Sequence, residues 1–419
     1  MLRETLAGEG GKYIERLEIR FKADLEAGVI RNAWQQTVAA TEALRARFVF
    51  ENDDPVGWAA DGDPAECLEL HGADEDIGQA PDPLKGPPWK VLFFPDERRW
   101  LWIFHHALLD GRSIVRIARA FIDRVHGLDP GPLPLAVWQA GDEAMLAEAS
   151  CFLTAHEIED VPASPEFPGD RREAVKAVEV LGAETARGLE TFASRCGVTA
   201  ACLVTWAWGQ ALATAMGTDA ARVLQVRSGP GQEGRAGFTM NTLPVLIDRA
   251  CSGSVGEALA RLRSRLEEMR RFETVAAADL TAPGRGTCGV LMVDRATVPA
   301  SIGRAEGVES IDFEESGGGG LLAAAWVHPD LRIELDSDGS LLGPVGVGAI
   351  IDHWSAILRR LAMLETDDAG EITKLADGQI GFLGGIGDGG PAVVDGGLTC
   401  LWDLTVAKHA DAIAVEAGT

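Results

Sequence analysis

Hydrophobic positions along this chain repeat with two periods, and the switches between them outline its elements. Tyr13-Ile14-Glu15-Arg16-Leu17-Glu18-Ile19 alternates and predicts a strand. Ile30, Trp34, Val38, Thr41 and Leu44 then recur at helical spacing. Trp89–Phe94 and Trp100–His106 are aromatic, β-branched runs flanking Pro95-Asp96-Glu97-Arg98-Arg99, which predicts a hairpin. With period two, Trp102, Phe104 and His106 share one face of the second strand, while Leu101, Ile103 and His105 share the other. After Gly111, Ser113 is a candidate cap for a helix whose apolar side is Ile114, Ile117, Phe121 and Val125.

The Pro-rich polar stretch 158–172 is the best candidate linker. Beyond it, Gly197-Val198-Thr199 opens an apolar helix through Trp206, Trp208 and Leu212. Val255, Leu259, Leu262, Leu266 and Met269 define an amphipathic helix, and Leu331, Ile333 and Leu335 alternate as a strand. Val347, Ile350, Ile351, Trp354, Ile357, Leu358 and Leu361 define a closing helix. Past residue 365 the chain turns Asp- and Gly-rich. Periodicity alone therefore predicts an α+β protein of two domains.

Composition narrows the chemistry. The 419 residues carry a formal net charge of −26, with 46% hydrophobic and 24% charged positions and no Lys/Arg cluster. Phosphate binding needs positive surface, so nucleic acid and anionic membrane are not expected partners. Seven cysteines (67, 151, 196, 202, 251, 288 and 400) are scattered with no CxxC spacing, which suggests neither a disulfide framework nor a metal site. No apolar run approaches membrane-spanning length and the N-terminus does not read as a signal peptide. A reduced cytoplasm is the expected compartment.

The richest chemistry lies in His105-His106-Ala107-Leu108-Leu109-Asp110-Gly111. It sets an imidazole at the end of an apolar strand, and imidazole is the side chain best suited to moving a proton near neutral pH. Lying on opposite faces, the two histidines have different tasks. A histidine among apolar residues is more often a hydrogen-bonded core residue than a catalyst, so the pattern carries the argument, not the residue. HHxxxDG is the signature of the acyltransferase superfamily that contains the condensation domains of nonribosomal peptide synthetases, and this sequence resembles that family.

Further matches follow the family's order. Ala33-Trp34 and Glu42-Ala43-Leu44-Arg45-Ala46-Arg47-Phe48 resemble its RHEALRTxF stretch, with Thr41 standing where that pattern has His. The helix opened by Gly197-Val198-Thr199 resembles its GVTL…AAWA helix, and Gly237-Phe238-Thr239-Met240-Asn241-Thr242-Leu243-Pro244 its GxFxNTLP element. The resemblance covers roughly residues 1–365. The family's opening LTPxQ is absent, which sets the start of the chain just inside the domain. Leu383-Gly384-Gly385 is rejected as a carrier attachment site because no Ser follows, whereas 401–415 resembles the first residues of an adenylation domain.

The resemblance implies two chloramphenicol-acetyltransferase-like lobes forming a V-shaped pseudodimer: residues 1–160 with the motif, residues 161–365, then residues 366–419 as linker and truncated adenylation start. It implies amide formation between a donor acyl thioester and an acceptor amine, each on the 4'-phosphopantetheine of a carrier-protein domain. No covalently bound cofactor and no metal are expected; an adjacent adenylation domain is. His106 is the catalytic candidate, as general base or as the group that orients the amine. His105, Asp110 and Arg45 are its structural support, Asp110 through an ion pair with Arg45. Gly111 and Ser113 belong to the pantetheine channel, with Gly111 also free to take positive φ, and Asn241 to a cross-lobe element. Arg112 departs from the Trp often found there. Three readings compete: an epimerization domain, whose Glu-Gly-His-Gly-Arg element lacks its His here; an ester-forming acyltransferase; and a non-catalytic carrier-docking module.

Overall fold

Alternation between Tyr13 and Phe21 becomes strand β1 (Ile14–Phe21), which buries Leu17, Ile19 and Phe21 on one face. The computed structural model describes residues 13–51, 54–59, 68–70, 81, 88–136, 141–155, 174–229, 233–250, 252–275, 289–315, 320–339, 344–363 and 366–375. The candidate linker at 158–172 and the adenylation-like stretch at 401–415 lie outside the described residues. Helix α1 (Ala27–Ala40) buries Ile30, Trp34 and Val38. Strands β2 (Arg47–Glu51) and β3 (Asp54–Ala59) pair with each other. Strand β4 (Leu68–Leu70) precedes the expected hairpin, β5 (Trp89–Phe94) and β6 (Arg99–His105). A 3-10 turn, His106–Leu108, then leads into helix α2 (Gly111–Val125).

The first core is an aromatic cluster. The Trp34 ring meets those of Trp89, Trp100, Trp102 and Phe121 at centroid distances of 5.3, 5.2, 5.5 and 5.6 Å, all edge-on. Such pairs add about 0.5–1.5 kcal/mol each beyond area burial. Two helices thus meet one face of the sheet in a single knot of rings, and β6 is held where its last residues emerge from the core.

The second lobe begins earlier than residue 161. Helix α3 (Glu143–Ala155) already packs Ala149, Phe152 and Leu153 into the second core. Next come strand β7 (Val175–Leu181), helix α4 (Gly182–Cys196) and helix α5 (Ala200–Met216). Thr199 caps α5, its hydroxyl accepting the Cys202 N–H at 3.2 Å, and the helix is buried nearly all round because it is apolar nearly all round. Strands β8 (Ala220–Ser228) and β9 (Met240–Asp248) pair antiparallel, followed by helix α6 (Val255–Met269) and strand β10 (Val290–Asp294). Among the described residues no single helix is long and apolar enough to cross a membrane.

A short helix α7 (Val298–Ile302) and strand β11 (Val308–Glu315) then return to the first lobe. Helix α7 packs on α2, and β11 pairs antiparallel with β1, so the first sheet runs β11-β1-β6-β5-β4. Strands β12 (Leu321–Trp326) and β13 (Leu331–Ser337) complete the second sheet, ordered β7-β13-β12-β10-β8-β9, and helix α8 (Pro344–Met363) covers it. The α+β class and two-lobed plan agree with the expectation. The expected division into 1–160 and 161–365 does not describe the packing, because residues 143–155 belong to the second core and 298–315 to the first lobe. Apolar periodicity marks which residues are buried but not in which core.

The compact body also extends past residue 365, to Lys374. Asp367 accepts hydrogen bonds from Ser254 Oγ at 2.5 Å and Gly256 N–H at 3.1 Å, at the start of α6. A final turn, α9 (Ala369–Thr373), then buries Ala369 and Ile372 in the second core. A chain cut after Lys374 is therefore expected to melt several degrees above one cut after residue 365. Ile372→Ala should cost about 2–5 kcal/mol in a urea melt; equal melting of the two truncations would show that this turn adds nothing.

Candidate active site

The motif histidines part company as their strand ends. His105 is the last residue of β6 and fully buried, with its Nδ1 accepting the Ala107 N–H at 3.1 Å. Its ring lies near those of Tyr13 and Phe48, both at 6.3 Å. Burial, reinforced by the charge of His106, holds His105 down at about 4. Its ring is therefore neutral at neutral pH.

His106 opens the 3-10 turn, and its N–H donates to the Tyr13 carbonyl at 2.8 Å. Tyr13 has φ of +62°, a left-handed conformation that costs a bulky residue energy and that the surroundings must enforce. The His106 side chain keeps 21% of its surface, and its Nδ1 lies 2.5 Å from Glu15 Oε1, an ion-pair contact without hydrogen-bond alignment. The Phe238 ring stands edge-on to it at 5.5 Å, from the second half of the chain. Burial pulls His106 down, but the charge and close approach of Glu15, with help from Glu315 and Asp110, raise it above its ordinary 6.5.

Glu15 was not among the residues expected here, although it was legible. It continues the row Leu17, Ile19 and Phe21, and a carboxylate on the apolar face of a strand is costly unless something answers it. Glu315 carried no such signal. It faces Glu15 only because β11 pairs with β1 in the register Glu15↔Glu315. Glu315 is exposed, and repulsion from Glu15 raises its carboxyl against the pull of His106; the charges of Glu334 and Lys176 on the second sheet also act on it. Lys176 and Glu334 are themselves paired at 2.9 Å.

Asp110 is structural, but not through Arg45. Its Oδ1 caps α2 by accepting the Ser113 N–H at 2.9 Å, and its Oδ2 accepts from Thr239 N–H at 3.2 Å and Thr239 Oγ1–H at 2.8 Å. Arg45 ends the 3-10 turn Glu42–Arg45, and among the described residues no hydrogen bond or ion pair joins it to Asp110. Three neutral donors solvate the carboxylate, so no cation is required. Ser113 is also no channel residue: it is 1% exposed, and its hydroxyl donates to Gly237 O at 2.8 Å and accepts from Gly237 N–H at 3.0 Å.

Gly237 itself must be bare, because a Cβ there would meet the Ala136 carbonyl oxygen at 3.0 Å. Gly111 is different. It is the first residue of α2 without positive φ, and a Cβ would meet only Val298 Cγ2, at 4.0 Å. The dihedral argument for it therefore fails, and a Cβ there would sit in ordinary contact with Val298. Asn241 does not cross between lobes: its amide donates to the Glu273 and Val275 carbonyls at 2.9 and 2.6 Å, within the second lobe. The crossing contacts belong to residues 235–239 instead, where strand β9 has not yet begun.

These features define a two-lobed domain with an imidazole and carboxylates at the end of its first sheet. A family model described as Condensation domain matches residues 2–285. The chain belongs to the condensation-domain family, whose members in nonribosomal peptide synthetases are acyltransferases. It is 25% identical over 303 residues to one of the linear gramicidin synthase polypeptides of Brevibacillus parabrevis, covering 63% of this chain and 6% of that protein. Over 476 residues it is 26% identical to a probable non-canonical nonribosomal peptide synthetase, CymA, of Salinispora arenicola, covering 99% of this chain and again 6% of the relative. The chain thus spans a small fraction of the relatives it matches. Among solved structures, the condensation domain of the Monacolin K polyketide synthase MokA superposes with a TM-score of 0.70 at 14% identity, over 88% of this chain and 96% of that one. The first condensation domain of the CDA synthetase gives 0.64 at 16%, over 90% and 96%. At such identities the likeness establishes the fold, the chloramphenicol-acetyltransferase-like one expected.

Two measurements test the site's construction. Asp110→Ala should cost about 2–4 kcal/mol, since it removes a cap and strands buried donors. Thr239→Val should cost about 1–3 kcal/mol, and the double variant less than the sum, whereas Arg45→Ala should add independently. Additive losses for Asp110 and Thr239 in urea melts would remove the link. Second, an unfolded His105 takes its proton near 6.5 and the folded one near 4. Its contribution to stability is therefore complete above pH 6.5 and lost as pH falls toward 4. His105→Gln should flatten the acid loss of stability over that window; an unchanged slope would show that His105 is not held neutral.

Proposed function

We propose that this chain is a condensation domain that forms an amide between two carrier-bound substrates, a donor acyl or peptidyl thioester and an acceptor amine. The observation that carries the reading is that, of the two motif histidines, only His106 keeps surface, 21% of its side chain against none for His105. It does so beside the junction of the two halves, where the Asp110–Thr239 bonds hold the motif turn to the second half.

An amine is already a good nucleophile, so the reaction needs alignment of two arms and a route for one proton. The acceptor nitrogen attacks the thioester carbonyl and the N–C bond forms. His106 Nε2 takes the proton that the nitrogen sheds, the C–S bond breaks, and the proton returns to the departing phosphopantetheine sulfur. The phosphopantetheine arms belong to the carriers, so the domain requires no resident cofactor. One arm is proposed to pass the turn at Gly111, where the chain carries no side chain. Donor and acceptor carrier domains are the proposed partners, and the adenylation-like residues 401–415 support an adenylation domain as the neighbour.

The test is to mix the chain with two loaded carrier domains and look for the dipeptidyl thioester by mass spectrometry. His106→Ala should stay folded and lower the rate by about 10²–10⁴-fold. A folded wild-type chain that joins no pair of loaded carriers, or a His106 variant of near-normal rate, would overturn the assignment.

A further inference from the structure

The proposed reaction leaves one buried ionisable group at its centre without a task. Glu15 is 2% exposed, on a strand face that otherwise holds Leu17, Ile19 and Phe21. Its Oε1 lies 2.5 Å from His106 Nδ1, and His106 is its only ion-pair partner among the described residues. Its Oε2 is buried without a hydrogen-bond partner among those residues. The imidazole is thus the main compensation for a desolvated carboxylate, and it can compensate only while Nδ1 holds a proton. That condition fixes the tautomer: the lone pair of neutral His106 must then lie on Nε2.

The contact is also mechanically firm. Glu15 lies opposite Phe104 in the β1–β6 ladder, and His106 follows two residues later on that neighbouring strand's end. Diagonal neighbours on one face of an antiparallel pair are within reach of long side chains. Both partners therefore hang from hydrogen-bonded backbone rather than from free loops.

We propose that Glu15 is the positioning residue of this site: it orients the His106 ring, keeps the tautomer that offers Nε2 to the acceptor amine, and stabilises the imidazolium formed when Nε2 takes the proton. The inference rests on the acyl-transfer role of His106. Glu15 itself forms and breaks no covalent bond; the proton passes from acceptor nitrogen to Nε2 and on to the leaving sulfur while the carboxylate stays ionised. The charges facing His106 are Glu15 from β1, Glu315 from β11 and Asp110 after the turn, with His105 adjoining it. Beyond Glu315 stand Glu334 and Lys176. Of the groups that raise His106, Glu15 is the largest contributor.

The experiment reads His106 directly, by NMR of histidine-labelled protein in the wild type, Glu15→Gln and Glu15→Asp, with His106→Ala to assign the signal. The wild type should show the Nδ1–H tautomer and a titration midpoint above 6.5. In Glu15→Gln the midpoint should fall, and the acid limb of the kcat profile should move to lower pH with it. At the same time kcat should drop about 10²-fold with KM for the acceptor carrier little changed. Glu15→Asp, which keeps the charge, should recover part of both. A Glu15→Gln protein that melts like the wild type and titrates His106 like the wild type overturns the proposal, as does an Asp variant no better than Gln. The NMR readout needs no reaction. A lowered midpoint together with a His106→Ala protein that still condenses would therefore overturn the role of His106 in transfer while upholding the Glu15–His106 pair.

Discussion

The pairing of β1 with β6 on one side and β11 on the other is the constraint on which the site depends. It sets Glu15 opposite Phe104 and opposite Glu315 in the two ladders. A slip of one residue would turn Glu15 outward and Ile14 inward, since side chains alternate across a strand. What holds the register is not the charge but the oil around it. Leu17, Ile19 and Phe21 must meet the cluster built on Trp34, and the carboxylate is carried to His106 by the same alternation. Aromatic packing thereby decides an electrostatic property.

Two adjacent histidines then acquire opposite properties from one turn of backbone. His105 points among apolar side chains, where burial dominates and the neutral ring is favoured. His106 is subject to the same penalty, yet a carboxylate at 2.5 Å overcomes it. The pair separates a fully buried imidazole from one that keeps surface beside a carboxylate, without any difference in residue type.

Asp110 shows how the motif turn is fastened. A buried carboxylate facing a guanidinium would require desolvating two charges, whereas hydrogen bonds from a helix N-terminus and Thr239 require desolvating one. Since Thr239 belongs to the second half, the same bonds tie the start of α2 to residues 237–239. Ser113 and the bare Gly237 allow that approach. The motif's Asp and its neighbouring Ser thus act as a clasp between halves, while His106, which opens the turn, keeps part of its surface.

Local pattern alone determined a good deal. The strand Ile14–Phe21, the hairpin that ends at His105, one residue before the expected His106, the helix after Gly111 and the apolar helix from Thr199 follow from period and capping, because those signals sit within a few residues of each other. Strand alternation also predicted that His105 and His106 meet different surroundings, as they do. Tertiary structure decided the rest. Residues 143–155 and 298–315 change lobes because buried residues carry no label of which core they fill. Asp110 found Thr239 rather than Arg45 because a carboxylate accepts whichever donors the packed chain delivers. Glu315 met Glu15 across almost the whole length of the described chain, a pairing set by strand order, which no local pattern encodes.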